Sequence, residues 1–124
     1  VAGDADLSGC RVLVVEDDFY LATDAARALE RAGAHVMGPC ATEEEARAVL
    51  DEQRPDAVVV DINLGRGPSF KLAETLKDRG IPFVFTTGYD AKVIPTKFAG
   101  IERLEKPLQL RQIVSAVAKL MTAV

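Results

Sequence analysis

The chain has 124 residues, 48% of them hydrophobic and 27% charged, which suits one globular domain around one core. Its formal net charge of -4 argues against binding nucleic acid through a basic face, and no apolar run reaches the ~20 residues that span a bilayer. Cys10 and Cys40 lie in no CxxC pattern and His35 has no ligand-spaced partner, which argues against a zinc site and suits thiols kept reduced in the cytoplasm.

Val1 to Gly9 is polar, lacks the basic and apolar regions of a signal peptide, and reads as a loosely ordered N-terminal tail (1–9) ahead of a domain over residues 10–124. Arg11-Val12-Leu13-Val14-Val15 has the length and apolarity of a buried strand, and Glu16-Asp17-Asp18 follows at once. From Phe19 the apolar residues step by three or four through Ala22, Ala26 and Leu29, one face of a helix that Gly33 ends. Asp18 stands where a helix cap belongs. Ala34 to Met37 is a short second strand closed by Gly38-Pro39, and Thr42 with Glu45 forms a capping box. The helix it opens carries Ala46, Val49 and Leu50 inward and ends by Pro55.

Ala57-Val58-Val59-Val60-Asp61 runs four apolar residues straight into one carboxylate, the pattern of a strand buried on both faces. Asn63 and Gly65 open a loop, Gly65-Arg66-Gly67-Pro68 turns, and Ser69 is placed to cap a third helix to about Arg79, with Phe70, Ala73, Leu76 and Leu64 packing inward. Pro82 to Thr87 is a fourth strand broken by Gly88. Between Ala91 and Gly100, Ala91, Val93, Ile94 and Phe98 have helical spacing that Pro95 interrupts or displaces. Ile101 to Glu105 is a fifth strand of mixed character, suited to an edge, and Lys106-Pro107 closes it. Leu110, Ile113, Val114, Val117, Leu120 and Met121 define a last amphipathic helix.

Strand and helix thus alternate five times, which implies an α/β fold with helices on both faces of a parallel sheet. Five strands fit the flavodoxin-like doubly wound order 2-1-3-4-5, in which strands one and three meet at the switch point where such sheets bind ligands. Their carboxyl ends bring Glu16, Asp17 and Asp61 into one crevice. The same order puts Cys10 and Cys40 at opposite ends of neighbouring strands, roughly 17 Å apart at ~3.3 Å per residue, beyond the ~7 Å Cα separation that a disulfide tolerates.

Carboxylates so close repel one another, and a divalent cation relieves that repulsion. All-oxygen donors with room for water suit Mg²⁺, with Mn²⁺ as a substitute. An aspartate in such a place can attack phosphorus and form an acyl phosphate, a transfer that needs positioning and positive charge around the phosphoryl oxygens. Lys106 can supply that charge and Thr87 a hydroxyl. Taken singly, each residue has a plain explanation: a cap, strand propensity, a solvated loop. Four strand ends carrying an acid pair, an acid, a hydroxyl and an amine are a combination those explanations do not reach.

Over roughly Arg11 to Met121 the chain resembles a response-regulator receiver domain. The matching motifs are Val-Val-Glu-Asp-Asp at 14–18, Val-Val-Asp-Ile-Asn-Leu at 59–64, Thr-Thr-Gly at 86–88 and Glu-Lys-Pro at 105–107. The resemblance implies phosphorylation at Asp61, metal binding by Glu16, Asp17, Asp61 and the backbone carbonyl of Asn63, phosphoryl contacts from Thr87 and Lys106, and a cis Lys106–Pro107 peptide. It also implies a histidine kinase or histidine phosphotransfer protein as donor, a downstream protein as target, and no catalysis beyond the domain's own phosphorylation and slow dephosphorylation. Pro82-Phe83-Val84-Phe85-Thr86-Thr87-Gly88-Tyr89 further resembles the FAT GUY receivers, often stand-alone and often paired with HWE-type kinases, with Thr86 in place of the usual Ala. Arg103 stands where many receivers carry an aromatic switch residue, so the switch region is assigned to Gly88, Tyr89 and Arg103, with residues 88–100 ordering on phosphorylation and Val93, Ile94 and Phe98 shown to or withdrawn from a partner. Glu16 replaces the commoner Asp of the acid pair.

Three rivals are weaker. A small aspartate-dependent phosphatase needs a second aspartate where Asn63 stands, a pseudo-receiver usually lacks an acid or the lysine, and a flavodoxin needs a Ser/Thr/Gly-rich loop where Glu16-Asp17-Asp18 stands.

Overall fold

In the computed structural model, which describes residues 6–122, five parallel strands form one sheet: β1 (Arg11–Val15), β2 (His35–Cys40), β3 (Ala57–Asp61), β4 (Phe83–Thr87) and β5 (Arg103–Glu105). Their order is β2-β1-β3-β4-β5, the flavodoxin-like order expected. Every residue of β3 and β4 is buried, because helices cover both faces of the sheet centre. The helices are α1 (Phe19–Arg31), α2 (Glu43–Glu52), α3 (Lys71–Asp78) and α4 (Leu110–Thr122). On one face Leu13, Val15, Val58, Val60 and Phe85 pack against α2 and α3. On the other, Val12, Val14, Val59, Val84 and Leu104 pack against α1 and α4.

Local chemistry starts and stops these helices. Asp18 Oδ1 accepts from the amides of Tyr20 and Leu21 at 3.0 and 3.1 Å, capping α1. Thr42 Oγ1 accepts from Glu45 N at 3.1 Å, and its hydroxyl donates to Glu45 Oε1 at 3.2 Å, closing the predicted box on side chains. Gly33 follows α1 with φ of 105°, and a Cβ there would meet Ser8 Oγ at 2.8 Å, so both backbone sign and space require glycine.

Several expectations are corrected. Strand and helix do not alternate five times: between β4 and β5 lie two 3₁₀ turns, Ala91–Val93 and Thr96–Phe98, instead of a helix. Pro95 sits between them at ψ 147, an extended conformation that no helix continues through. β2 does not stop at Gly38-Pro39 but runs to Cys40, slipping register between Leu13 and Val15; an edge strand tolerates a proline, and Cys40 O still accepts from Glu16 N at 2.8 Å. β5 has only three residues. Ser69 caps nothing. Its amide donates to Ile62 O, and α3 starts at Lys71 without a side-chain cap. Phe19 does not face the core and is 72% exposed, because the first turn of α1 stands at the sheet's rim. Of the expected tail, residues 1–5 lie outside the described residues, but Leu7 is 2% exposed and its amide donates to Ala32 O at 2.7 Å. An apolar side chain beside α1 is buried whatever the polarity of its neighbours.

Cys10 precedes β1 and Cys40 pairs with Val15 at its far end, and both thiols are free and buried. Burial first, then Asp56 beside Cys10 and Glu45 beside Cys40, pushes both pKa values up. Two thiols are therefore expected to alkylate slowly in the native protein and promptly in denaturant; a denatured chain without two titratable thiols would contradict the strand order.

Candidate functional site

The carboxyl ends of β1 and β3 lie side by side, with Val15 paired to Val60. The residue after each strand pair sets the chemistry. Glu16 and Asp61 are 5% and 4% exposed, although they are acids, because each continues the inward parity of its strand. Lys106, at the end of β5, reaches across β4 and places Nζ 2.9 Å from both Glu16 Oε1 and Asp61 Oδ2. Asp17 is exposed, yet one carboxylate oxygen from each of Glu16, Asp17 and Asp61 lies within 4.8 Å of the others. The acids expected in one crevice are there, with the lysine among them.

Burial raises the Glu16 pKa first, and its hydrogen bond with Asp61 raises it further; Lys106 and the Asp18 amide pull the other way, leaving it pushed up to about 7. Burial alone would lower the Lys106 pKa, but its bonds to Asp61 and Glu16 outweigh that and raise it. Two buried acids thus share one cation. The set is all oxygen and carries more negative charge than one ammonium neutralises, which fits a hard divalent ion such as Mg²⁺ or Mn²⁺.

Asn63 N donates to Asp61 Oδ1 at 3.0 Å, holding the carboxylate from the loop side. The Asn63 side chain bonds through both its oxygen and its nitrogen. Its Oδ1 accepts from Gly65 N and Gly67 N at 2.8 and 3.0 Å, and Nδ2 donates to Tyr89 Oη at 3.1 Å. This tie between the loop after β3 and the segment after β4 was not legible in the sequence, since it depends on which way Tyr89 turns. Thr87 is fully buried, and its Oγ1 accepts from Tyr89 N at 2.8 Å, leaving the hydroxyl proton free to donate elsewhere.

Gly88 is exposed, takes an ordinary φ, and a Cβ there would meet nothing, so no backbone strain is stored at it. Arg103, half-buried, has two acceptors: Nη1 lies 3.4 Å from Tyr89 O and 3.5 Å from Glu105 Oε1. The Lys106–Pro107 peptide is cis, as is Gly38–Pro39, which the sequence did not announce. Sequence reasoning also missed a cleft of about 450 Å³ beside Asp61, lined by Thr42, Glu43, Leu64, Arg66 and Lys71. Its walls come from the start of α2, the loop after β3 and the start of α3, and only their packing makes a cleft. The site can bind a hard cation, present a carboxylate as nucleophile, and offer an ammonium and a hydroxyl to an oxyanion.

Comparison with known proteins is consistent with this geometry. The response regulator receiver domain family matches residues 12–118. The phyllosphere-induced regulator PhyR of Methylorubrum extorquens is 30% identical over 117 residues, covering 87% of this chain and 42% of that protein. The solution structure of SdrG from Sphingomonas melonis Fr1 superposes with a TM-score of 0.77 at 32% identity, covering 91% of this chain and 97% of that one. The crystal structure of the response regulator PhyR from Brucella abortus gives 0.79 at 25% identity, covering 94% and 49%. The chain spans about half the length of the curated relatives it matches. No helix among the described residues is long and apolar enough to cross a membrane.

Proposed function

The chain belongs to the response regulator receiver domain family of two-component signalling, and from that premise we propose that it is a phosphoacceptor whose Asp61 takes a phosphoryl group from a phosphohistidine. The donor is a histidine kinase, of the HWE type that the FAT GUY resemblance implies, or a histidine phosphotransfer protein, and the reaction runs in the cytoplasm. The observation that carries this reading is the Lys106 ammonium 2.9 Å from both Asp61 and Glu16, with Asp17 in the same cluster of acids.

A carboxylate oxygen of Asp61 attacks phosphorus in line. The new O–P bond forms as the donor's P–N bond breaks, and the electron pair returns to the imidazole nitrogen. Asn63 N holds Asp61 Oδ1 during the attack. Lys106 moves its charge from the carboxylate to a phosphoryl oxygen, and the Thr87 hydroxyl donates to another. Glu16, Asp17, Asp61 and the Asn63 backbone carbonyl are the ligands proposed for Mg²⁺, or Mn²⁺ in its place, which when bound neutralises phosphoryl charge. The phosphorylated domain then changes its affinity for a downstream protein through Gly88, Tyr89 and Arg103. It turns over no other substrate. A phosphatase would need an acid at 63, and the Asn63 amide is already committed to Gly65, Gly67 and Tyr89.

Intact-mass analysis after incubation with acetyl phosphate and Mg²⁺ tests this. Wild type is expected to gain one hydroxylamine-labile phosphoryl group, and Asp61→Asn none. A gain that persists in Asp61→Asn assigns the acceptor elsewhere.

A further inference from the structure

Among the described residues, the Thr86 hydroxyl is the buried side-chain oxygen or nitrogen without a hydrogen-bond partner. It is 2% exposed. A buried hydroxyl so left costs about 1–3 kcal/mol, and valine fills the same space without that cost. The residue lies where it can matter. Thr86 is the registered partner of Asp61 on one side and of Leu104 on the other. Val59, Val84 and Leu104 all face the α1 and α4 side, so by strand parity Asp61 and Thr86 face it too. Lys106 follows Leu104 by two residues on that same side. To reach Asp61 on β3 from the end of β5, its stem must cross β4, and β4 presents Thr86 there.

In this structure the ammonium is held by two carboxylates, and charged acceptors outcompete a neutral hydroxyl. A divalent ion on Glu16 and Asp61 competes for those same oxygens, and phosphoryl transfer takes another from Asp61. The ammonium, with three donors, then lacks acceptors. We propose that Thr86 is a positioning residue for Lys106: its hydroxyl oxygen accepts from the ammonium once the carboxylates are engaged, and so aims the charge at the incoming phosphoryl group. This rests on Asp61 being the phosphoacceptor. It gives a role to a buried hydroxyl that has no partner in this structure.

The test compares wild type, Thr86→Val, Thr86→Ser and Asp61→Asn, with Mg²⁺ affinity measured by calorimetric titration and phosphorylation by acetyl phosphate followed as mass. Thr86→Val is expected to slow phosphorylation of Asp61 at saturating Mg²⁺ by roughly three- to tenfold, the worth of one hydrogen bond, and to weaken Mg²⁺ binding by no more than that factor, because the bond to Lys106 forms once the metal has taken the carboxylates; Thr86→Ser is expected to keep the wild-type rate and affinity. The Lys106 ¹⁵Nζ resonance, recorded with Mg²⁺ and without phosphodonor, is expected to agree between wild type and Thr86→Ser and to differ in Thr86→Val. Wild-type rate and resonance in Thr86→Val overturn the proposal and leave the phosphoacceptor intact. Equal slowing by valine and serine overturns it too, since shape alone would then be responsible. Labelling of Asp61→Asn instead removes the phosphoacceptor reading itself.

Discussion

Lys106→Met is expected to leave a domain that is stable at pH 5, much weakened at pH 8 without divalent cation, and restored at pH 8 by saturating Mg²⁺. Lys106 is the cation that bridges Glu16 and Asp61, both nearly inaccessible to water. Removing one partner of a buried ion pair costs about 3–5 kcal/mol, because the charge left behind has no compensation. Here two acids are left behind. Protonation is one remedy. The Glu16 pKa stands at about 7 in the folded protein against 4.5 for an ordinary glutamate, so between those values the folded state binds more protons than the unfolded chain. By linkage, that contribution to stability is full below about 4.5 and is lost as pH rises through about 7. The metal-free wild type therefore also weakens over this window. Lys106, with a raised pKa, keeps its charge throughout and moderates the loss. The methionine variant has no such counterweight, and its decline is steeper. A divalent cation is the second remedy, since it neutralises the same oxygens. Urea midpoints at pH 5 and pH 8, with and without Mg²⁺, measure all of this. A variant as stable as wild type at pH 8 in chelator would mean that the acid cluster is solvated and the ion pair unimportant.

The sequence disclosed those parts of the fold that depend on local pattern. Ala57 to Asp61 announced itself as the central strand because burial on both faces leaves no polar position in it. Asp18 and Thr42 announced caps because capping needs only a short polar side chain and the following amides. The acid cluster followed from strand order, and strand order from strand–helix alternation. Lys106 and Thr87 followed from their places at strand ends. What stayed hidden depends on partners distant in sequence. Phe19 has the spacing of a core residue, but where the sheet ends decides its exposure. Leu7 lies in a polar stretch and is buried only because α1 passes beside it. The hydrogen bond from Asn63 to Tyr89 spans two loops, and Arg103 finds its acceptors in Tyr89 and Glu105. The stretch from Ala91 to Gly100 was ambiguous for a different reason. Its apolar spacing favours a helix and Pro95 opposes one; in the structure Pro95 is extended and Phe98 packs inward from a short 3₁₀ turn.

That packing leads to the second large effect. Phe98→Ala is expected to destabilise the domain by about 3–5 kcal/mol, the usual cost of emptying a buried aromatic site. The expectation for Phe98 is that phosphorylation shows it to a partner or withdraws it from one. In this structure it is 1% exposed. Its ring stacks on Phe70 with centroids 5.9 Å apart and meets Phe85 edge-on at 5.8 Å and Phe83 at 6.2 Å. Outside this cluster, Lys77 and Lys97 each hold an ammonium over the same ring, 5.7 and 5.4 Å from its centroid, and Lys97 also pairs with Glu74 of α3. Phe98 thus pins the segment between β4 and β5 to α3 and the sheet. Around it the backbone is held by short turns, among them Phe98 N to Pro95 O and Ile101 N to Phe98 O, and by one bond from α3, in which Lys77 Nζ donates to Lys97 O at 2.7 Å. Such turns are weak without a side-chain anchor. Hydrogen exchange at residues 94–101 is therefore expected to accelerate in Phe98→Ala by more than the global loss of stability explains. Phosphorylation by acetyl phosphate should persist, because Asp61 and Lys106 are carried by β3 and β5 and do not touch Phe98. If phosphorylation orders residues 88–100, the variant should be labelled normally yet gain little protection there. Uniform acceleration across the whole domain would show that Phe98 serves the core as a whole, and the segment would then have no separate hold on the fold.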